Sequence, residues 1–338
     1  MRAILALFFL SASLVAQSAL EKAATLARQH KFAEAKAALI GISEPSEIAP
    51  RIAFHRLKAA IASGLGDAPA AAREMRDALA LTPNDPPILL ATAISEMQAG
   101  LLLDAFQHAQ AAASLIPDNE SYQLALATIS IRSQDFSRAI KALQQVLPRF
   151  PHSGRLRTLQ GIAEYAVGET SDAIDALESA ITVEPNLDSA YRCLSRIVLQ
   201  SAAVPSVKVA AILCHWDELT CAALHLRLAH AESDTKAQAK AMSALERAPG
   251  TNSMAHCELA RGYEWSSRLA DARSQMELCI RYDPSPQNHY RLSMIYKRLG
   301  MNEQANAELQ ARTRQLEHMS EETAAGLDAL HAYGTPSK

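Results

Sequence analysis

Prolines recur along this sequence at a nearly fixed interval. Successive members of the series lie 34 or 35 residues apart, with one longer gap of 64: Pro83, Pro117, Pro151, Pro185, Pro249 and Pro284. A period near 34 residues predicts a repeat architecture in which every repeat is one small supersecondary unit. Since the sequence is rich in alanine and modest in glycine and proline, we expect those units to be helical.

The residues between the prolines repeat as well. When the proline is counted as position 32, position 20 is alanine in six repeats: Ala71, Ala105, Ala139, Ala173, Ala237 and Ala272. Small or apolar residues follow four and seven positions later, so the three positions share one helical face. Near position 15, Gly66, Gly100, Gly168 and Gly300 suit a left-handed residue at a tight helix reversal. Each repeat is therefore predicted to be a pair of antiparallel helices.

This pattern resembles the tetratricopeptide-repeat family, whose consensus W-x2-L-G-x2-Y, A-x3-F, A and P is met in weakened form. The tryptophan position holds Tyr191, Cys221, His256 or His289, for example. The resemblance covers roughly residues 18–318 and implies an all-α, right-handed superhelical solenoid of about nine helix-turn-helix repeats. We place the solenoid at residues 19–320, with a flexible tail at 321–338.

One repeat departs from the period. Residues 188–217 form a unit of about 30 residues, with Pro205 near the start of its second helix. Proline is tolerated in the first turn of a helix, where its missing N–H would be unpaired anyway. We interpret this segment as an irregular repeat, and a domain boundary is the alternative.

Residues 1–18 are predicted to be a cleaved signal peptide. A cationic start at Arg2 is followed by an apolar run and then by small residues, including the triplet Ala16-Gln17-Ser18. The run is shorter than the roughly 20 residues that a membrane-spanning helix needs. An uncleaved helix packed on the solenoid is the alternative. We therefore expect a periplasmic or secreted protein without a membrane span.

Composition and motifs argue against several functional classes. The formal net charge of −3 provides no basic field for nucleic acid. No phosphate loop, nucleophile elbow, zinc-protease helix or paired catalytic carboxylates occur at a recognisable spacing. The spacing of Cys214, His215, Cys221 and His225 matches no standard zinc site, and two of these residues fall on packing positions of the repeat. We predict no enzyme activity, no metal and no cofactor.

The five cysteines lie between Cys193 and Cys279. In an oxidising compartment, Cys214 can pair with Cys221 across an expected turn, and Cys257 with Cys279 across the two helices of one repeat. These four residues are the disulfide candidates. A Cys193–Cys214 bridge and a fully reduced set of buried cysteines remain open.

In tetratricopeptide arrays the first helix of each repeat lines a concave groove. Carried over position by position, the resemblance implies an apolar middle part and an arginine-rich C-terminal part of the groove. The candidate partner-binding residues are Ile94, Ile131 and Ile162, and then Arg192, Arg196, Arg261, Trp265, Tyr290, Arg291 and Arg298. Arginine beside tryptophan and tyrosine is typical of protein interfaces. The asparagine of the family's carboxylate clamp is missing at position 9, which disfavours that mode of peptide binding.

The leading hypothesis is an exported scaffold that presents this groove to a partner protein or peptide, in envelope assembly or secretion for instance. The alternative is a regulatory subunit of an enzyme complex or, less favoured, a weak hydrolase with a site in residues 188–217.

Overall fold

The computed structural model describes residues 18–201 and 204–333, and their side chains as far as residue 317. Within these ranges the regular elements are helices, and no strand occurs. The all-α prediction is confirmed. The predicted signal peptide, apart from its last residue, lies outside the described residues.

The helices fall into two compact units, divided between Pro185 and Asn186. The division lies at the beginning of the irregular repeat, where a domain boundary was the alternative. The helices of the first unit are α1 (18–28), α2 (Phe32–Ala38), α3 (Ile48–Gly64), α4 (Ala68–Leu81), α5 (Pro86–Gln98), α6 (Leu102–Leu115), α7 (Glu120–Arg132), α8 (Phe136–Val146), α9 (Gly154–Ala166) and α10 (Thr170–Val183). Those of the second are α11 (Asp188–Gln200), α12 (Val207–Trp216), α13 (Glu218–Ala231), α14 (Thr235–Leu245), α15 (Ser253–Trp265), α16 (Leu269–Tyr282), α17 (Pro286–Arg298) and α18 (Asn302–Tyr333).

Consecutive helices pair from α1 with α2 to α17 with α18, which gives nine pairs in the described residues. Eight of the pairs reverse direction through three residues, and the middle one always has a positive φ. Glycine occupies that place in four pairs, and His30, Gln134, Ser233 and Ser267 occupy it in the others. The left-handed residue lets the next N–H bond back to the first helix, as Asp135 does to the Ser130 carbonyl at 3.0 Å.

Alanine lines the contact between paired helices. Of the position-20 alanines, five have no exposed surface, namely Ala71, Ala105, Ala139, Ala173 and Ala272, while Ala237 is partly exposed. In the second unit, α13–α18 share one core that includes Leu226, Tyr263 and Met276. Within each unit, apolar helix faces are therefore buried against neighbouring helices, as a repeat solenoid requires.

The irregular repeat differs at its reversal. Six residues, 201–206, separate α11 from α12, where the other pairs use three. Pro205 directly precedes Ser206, whose hydroxyl accepts the Val209 N–H at 3.2 Å and so begins α12.

The last helix is longer than predicted. It continues to Tyr333, into the segment 321–338 for which a flexible tail stays a prediction. Residues 321–333 are mostly strong helix formers such as alanine, leucine and glutamate, and Gly326 does not interrupt them. None of the described helices has the length and apolar character that crossing a membrane would demand.

Candidate partner-binding surface

Six charged side chains from α13, α15 and α17, the first helices of three successive repeats, form a connected group in the second unit. We call this group the arginine cluster: Arg227, Glu258, Arg261, Glu264, Arg291 and Arg298. The helices place these residues on one surface because α13, α15 and α17 hold equivalent places in their repeats. Four of the residues are cations and two are anions.

Arg227 and Glu258 form the buried end of the arginine cluster. The Arg227 guanidinium donates to both carboxylate oxygens, from Nη2 to Oε1 at 2.7 Å and from Nε to Oε2 at 3.0 Å. Both residues are buried. Burial alone would raise the pKa of Glu258, but hydrogen bonding and charge from Arg227, with the charges of Arg261 and Arg291, hold it below its usual value.

The same guanidinium also completes the end of α11. Arg227 Nη1 donates to the carbonyls of Val198 at 3.0 Å and Ser201 at 2.8 Å, and Nη2 donates to the Leu199 carbonyl. The last carbonyls of a helix have no partner within the helix and favour a cation. Arg227 therefore supplies donors to a helix end that lies in another repeat.

Arg261 lies next along the arginine cluster. Its Nε is 3.3 Å from Glu258 Oε2, yet that buried donor makes no hydrogen bond of good geometry with a described residue. Burial lowers the pKa of Arg261, and the neighbouring charges of Arg291 and Arg227 lower it further against the opposing effect of Glu258. The cluster thus holds more positive charge here than its carboxylates balance.

Glu264 is shared by two arginines at the outer end of the arginine cluster. Its two oxygens lie 3.6 Å from Arg291 Nη2 and 3.4 Å from Arg298 Nη1. The side chain of Arg291 is mostly buried, but that of Arg298 is 46% exposed. Ion pairs that are this long and partly exposed contribute little to stability. The fold therefore does not depend on the pairing of Arg291 and Arg298 with Glu264.

Trp265 forms the aromatic part of this surface. Its ring stacks on His230 with centroids 3.8 Å apart, and the Arg261 guanidinium lies 5.9 Å from the indole centroid. The indole also packs partly against the core of the second unit. These contacts place Trp265 beside the arginine cluster, and its role as a central aromatic anchor for a partner stays a prediction.

Two predicted residues have their contacts elsewhere. The exposed ring of Tyr290 lies 5.3 Å beneath the guanidinium of Arg312 on α18. Arg192 is exposed and pairs with Asp188, which also accepts a hydrogen bond from Trp216 at 2.8 Å. Arg196 is exposed on the same helix as Arg192.

In the first unit, the three predicted isoleucines lie on first helices of their repeats. Ile94 on α5 is 38% exposed, and Ile131 on α7 and Ile162 on α9 are partly buried. They offer an apolar surface of limited extent.

The four predicted cysteines are joined as two disulfides. Cys214 at the end of α12 bonds to Cys221 in α13, and Cys257 in α15 bonds to Cys279 in α16. Cys193 is half-buried, and burial raises the pKa of its thiol.

Two groups of side chains in the described residues have metal-binding geometry. In one, His55, Glu74 and Asp77 bring ligand atoms within 4.8 Å of one another, but the Lys58 ammonium pairs with Glu74 there. In the other, His225 accompanies Cys214 and Cys221. The sequence analysis assigned Cys221 and His225 to packing positions, but His225 is exposed.

The sequence analysis missed Arg227, Glu258 and His230. Arg227 and Glu258 lie 31 residues apart, close to one repeat period, so their positions in successive first helices are related. A pair of opposite charges at that spacing could have indicated the contact. The repeat period could not have predicted that this contact is buried.

Comparison with known proteins agrees with this geometry. A family model described as "Tetratricopeptide repeat" matches residues 96–162, which span α6, α7 and α8. No curated protein matches the sequence. A tetratricopeptide repeat protein from Parabacteroides merdae has a similar structure, with a TM-score of 0.53 at 12% identity over 82% of this chain and 98% of that one.

Two further structures are less similar. MamA of AMB-1 aligns with a TM-score of 0.43 at 14% identity, over 49% of this chain and 98% of that one. A chain of the APC/C hetero-tetramer Cut9–Hcn1 aligns with a TM-score of 0.47 at 14% identity, over 87% of this chain and 52% of that one.

The helix pairs, their alanine contacts and their left-handed turns extend beyond the segment that the family model matches. Residues 96–162 therefore match the tetratricopeptide-repeat family, and the fold of the chain is similar to that of a tetratricopeptide-repeat protein.

Proposed function

We propose that this protein is an exported scaffold that binds an acidic segment of a partner protein at the arginine cluster. The observation that carries the proposal is the charge of the cluster, in which four arginines face two glutamates. The whole chain has a formal net charge of −3. The repeats nevertheless bring an excess of positive charge together at the arginine cluster. Such a local patch attracts and orients an acidic partner.

The surroundings of the arginine cluster support a binding role. Arg298, Tyr290 and Met294 are exposed on α17. Trp265 is fixed by its stack on His230, so a partner would not have to order it. Arginine and aromatic side chains are the residues that interfaces use most often as energetic centres. Tetratricopeptide folds in general serve as scaffolds for protein–protein interaction, which is consistent with this proposal.

Export is part of the proposal. It is supported by the charged, apolar and small-residue sequence of residues 1–18 and by the two disulfides. Disulfides form and persist outside the reducing cytoplasm. The test is mass spectrometry of the protein isolated from fractionated cells of its source. We expect a chain that lacks about the first 16–18 residues and is recovered outside the cytoplasm. A full-length cytoplasmic chain would contradict export and leave the binding proposal standing.

The binding proposal is tested by affinity capture from the envelope fraction, with three versions of the tagged protein. The test variant combines Arg291→Ser and Arg298→Ser. The control variant combines Arg247→Ser and Arg281→Ser, which removes the same charge from exposed positions of the same unit, one in the turn after α14 and one on α16. We expect the parent and the control to retain a common protein that the test variant loses. Equal retention by all three versions would overturn the proposal.

A synthetic peptide from an acidic region of the captured protein then provides a direct measurement. We expect its affinity to fall with rising salt concentration, because exposed charges are screened. A peptide with the same residues changed from Asp and Glu to Asn and Gln is the control. If both peptides bind equally, the arginine cluster does not recognise acidic groups.

A further inference from the structure

The Cys214–Cys221 disulfide joins two helix ends at an exposed turn. Cys214 lies near the end of α12, Cys221 is the fourth residue of α13, and their Cα atoms are 4.2 Å apart. Neither cysteine is fully buried. A groove of about 990 Å³ opens beside the disulfide. A reductant can therefore reach these sulfurs from solvent.

His225 lies one helical turn after Cys221 and faces both sulfur atoms. Its Nδ1 is 3.7 Å from Cys221 Sγ, and its Nε2 is 3.9 Å from Cys214 Sγ. The imidazole is exposed, and among the described residues it makes no hydrogen bond with a carboxylate or a carbonyl oxygen. Two cysteine sulfurs and one imidazole are thus already gathered at one point.

These separations approach those of a tetrahedral zinc site. Zinc–sulfur and zinc–nitrogen bonds of about 2.3 and 2.0 Å place sulfur and nitrogen ligands about 3.6 Å apart, and two sulfurs about 3.8 Å apart. The 3.7 Å between His225 Nδ1 and Cys221 Sγ is close to that value. One ion takes only one nitrogen of the imidazole, and with one ligand atom from each residue Cys214, Cys221 and His225 lie within 4.8 Å of one another. The two sulfur atoms are bonded to each other in the disulfide, so both can bind the same ion only after that bond is reduced.

We propose that reduction of the Cys214–Cys221 disulfide creates a site for a thiophilic divalent cation of the zinc type. Cys214, Cys221 and His225 are its three protein ligands, and water fills the fourth position. The disulfide and the metal site are mutually exclusive states of the same two cysteines. This inference does not depend on the arginine cluster.

The chemistry balances with a dithiol reductant. The reductant transfers two electrons and two protons to the Cys214–Cys221 bond and becomes a disulfide itself. Both thiols then lose their protons to solvent as the cation binds, since thiolates are the ligands. Reoxidation by a disulfide oxidant reverses the first step and expels the ion.

The position of Cys221 on its helix favours thiolate formation. Cys221 lies in the first turn of α13, where the helix end favours negative charge. His215, Asp217, Glu218, Lys240 and Arg247 also line the groove. Asp217 is engaged in accepting the Thr220 N–H at 2.7 Å, so it is not counted as a ligand.

The second disulfide offers an internal comparison. Cys279 is fully buried, and the nearby His256 directs Nδ1 to Gln275 at 2.7 Å and Nε2 to the Gly250 carbonyl at 2.9 Å. An imidazole with both nitrogens engaged has none left for a metal. We therefore expect the Cys257–Cys279 pair to bind no ion.

The test uses the full chain, with Zn²⁺ and Co²⁺ as probes. After mild reduction, thiol labelling and mass spectrometry establish that Cys214 and Cys221 are the reduced pair. Competition with a chromophoric chelator then measures Zn²⁺ affinity, and Co²⁺ absorption reports thiolate ligation. We expect one ion per reduced chain and at least about tenfold weaker binding by the oxidised chain.

Three variants decide which residues bind the ion. Combined Cys214→Ser and Cys221→Ser should abolish the Co²⁺–thiolate absorption, and His225→Gln should weaken Zn²⁺ binding by at least about tenfold. His215→Gln, at an adjacent exposed histidine, should leave affinity unchanged. Circular dichroism checks that each variant is folded. A reduced parent chain that binds no Zn²⁺, or a double serine variant that binds it equally well, would overturn the proposal. Unchanged affinity in His225→Gln would do the same.

Discussion

Gly161 on α9 and Ala173 on α10 lie so close that a Cβ atom added to Gly161 would be 2.9 Å from the Ala173 carbonyl oxygen. The same added atom would be 2.8 Å from Leu177 Cγ. The two helices of this repeat therefore touch backbone to backbone. Small residues at both positions permit that approach.

The first prediction follows from this contact. Ala173→Leu, and likewise Ala139→Leu, should lower the free energy of unfolding by about 1–3 kcal/mol, because a larger side chain overpacks a fully buried seam. Urea denaturation measures the change. Ala111→Leu, at an exposed position of α6, is the control and should be nearly neutral. Unchanged urea denaturation midpoints in both Ala173→Leu and Ala139→Leu would mean that the repeat positions have been misassigned.

The second prediction concerns the buried ion pair. Arg227→Met should cost about 3–5 kcal/mol, because Glu258 then stays buried without its main cation. Replacing both residues by methionine should cost less, since no uncompensated charge remains. Chemical denaturation of the two variants compares them. A single variant as stable as the double variant would contradict the buried-charge explanation.

This ion pair also predicts a pH dependence. The pKa of Glu258 is lower in the folded protein than in the unfolded chain, where a glutamate titrates near about 4.3. Its contribution to stability is therefore present above that value and is lost as the pH falls through the lowered folded pKa. The stability difference between the parent and the double methionine variant should shrink in acid. Thermal unfolding across a pH series measures it.

The third prediction concerns the left-handed turns. Gly100 has a φ of +78°, and a Cβ there would meet no atom within 4 Å, so Gly100→Ala would suffer only backbone strain, about 1–2 kcal/mol. Gln134 occupies the equivalent place with a φ of 58°, and Gln134→Gly should relieve strain and raise the melting temperature. Differential scanning calorimetry tests both. A destabilising Gln134→Gly would show that chain entropy outweighs the strain.

The fourth prediction concerns Glu164 on α9. Burial raises its pKa, and the charges of Asp172, Glu169 and Asp175 add to that effect against a hydrogen bond from Gln160. With a raised folded pKa, its stabilising contribution is present below the ordinary glutamate pKa and is lost as the pH rises through the raised value. Glu164→Gln should therefore raise the melting temperature at pH 7 and have less effect near pH 4.

The control for that measurement is Glu34→Gln, at an exposed position of α2. It removes the same charge without relieving a buried carboxylate, so its effect should be small at both pH values. An equal rise in both variants would indicate a general effect of net charge.

The fifth prediction concerns Trp265. If the arginine cluster binds the partner, Trp265→Ala should weaken binding by about 2 kcal/mol or more, and Arg298→Ser by less than that, because a fixed aromatic is more fully desolvated than a rim arginine. Isothermal titration calorimetry with the captured partner measures both. Trp216→Ala, which removes the other tryptophan of the chain, is the control. Equal losses for both tryptophans would point to a general effect on the second unit.

The period, the alanine seam and the helix reversals were predictable because they are local or recur with the repeat. Proline and alanine spacing located the helix pairs, and glycine located four of the left-handed turns. The other four were not recognised because His30, Gln134, Ser233 and Ser267 have no strong preference for that conformation. Gln134 and Ser267 lie 17 residues before Pro151 and Pro284, the same spacing as Gly66, Gly100 and Gly168 have from their prolines, so this spacing would have identified those two.

The candidate site was predictable only in part. The groove positions of Arg261, Arg291 and Arg298 followed from the repeat, but their pairing with Glu258 and Glu264 depends on side-chain directions that a period does not give. The role of Arg227 depends on the irregular α11–α12 reversal, which leaves carbonyls at the end of α11 for it to bond. An irregularity of that kind has no counterpart in the other repeats from which to infer it.

Arg227 has a consequence for how the second unit opens. In a linear array each repeat normally depends only on its immediate neighbours, so opening can spread one repeat at a time. Arg227 lies in one repeat, bonds the end of α11 in the repeat before it and holds Glu258 in the repeat after it. Loss of the Glu258 contact leaves two buried charges without their main partner, and loss of the α11 contacts leaves donors of the buried guanidinium without acceptors. Amide hydrogens in α11, α13 and α15 should accordingly exchange with one shared opening free energy, as a single cooperative block within a modular chain.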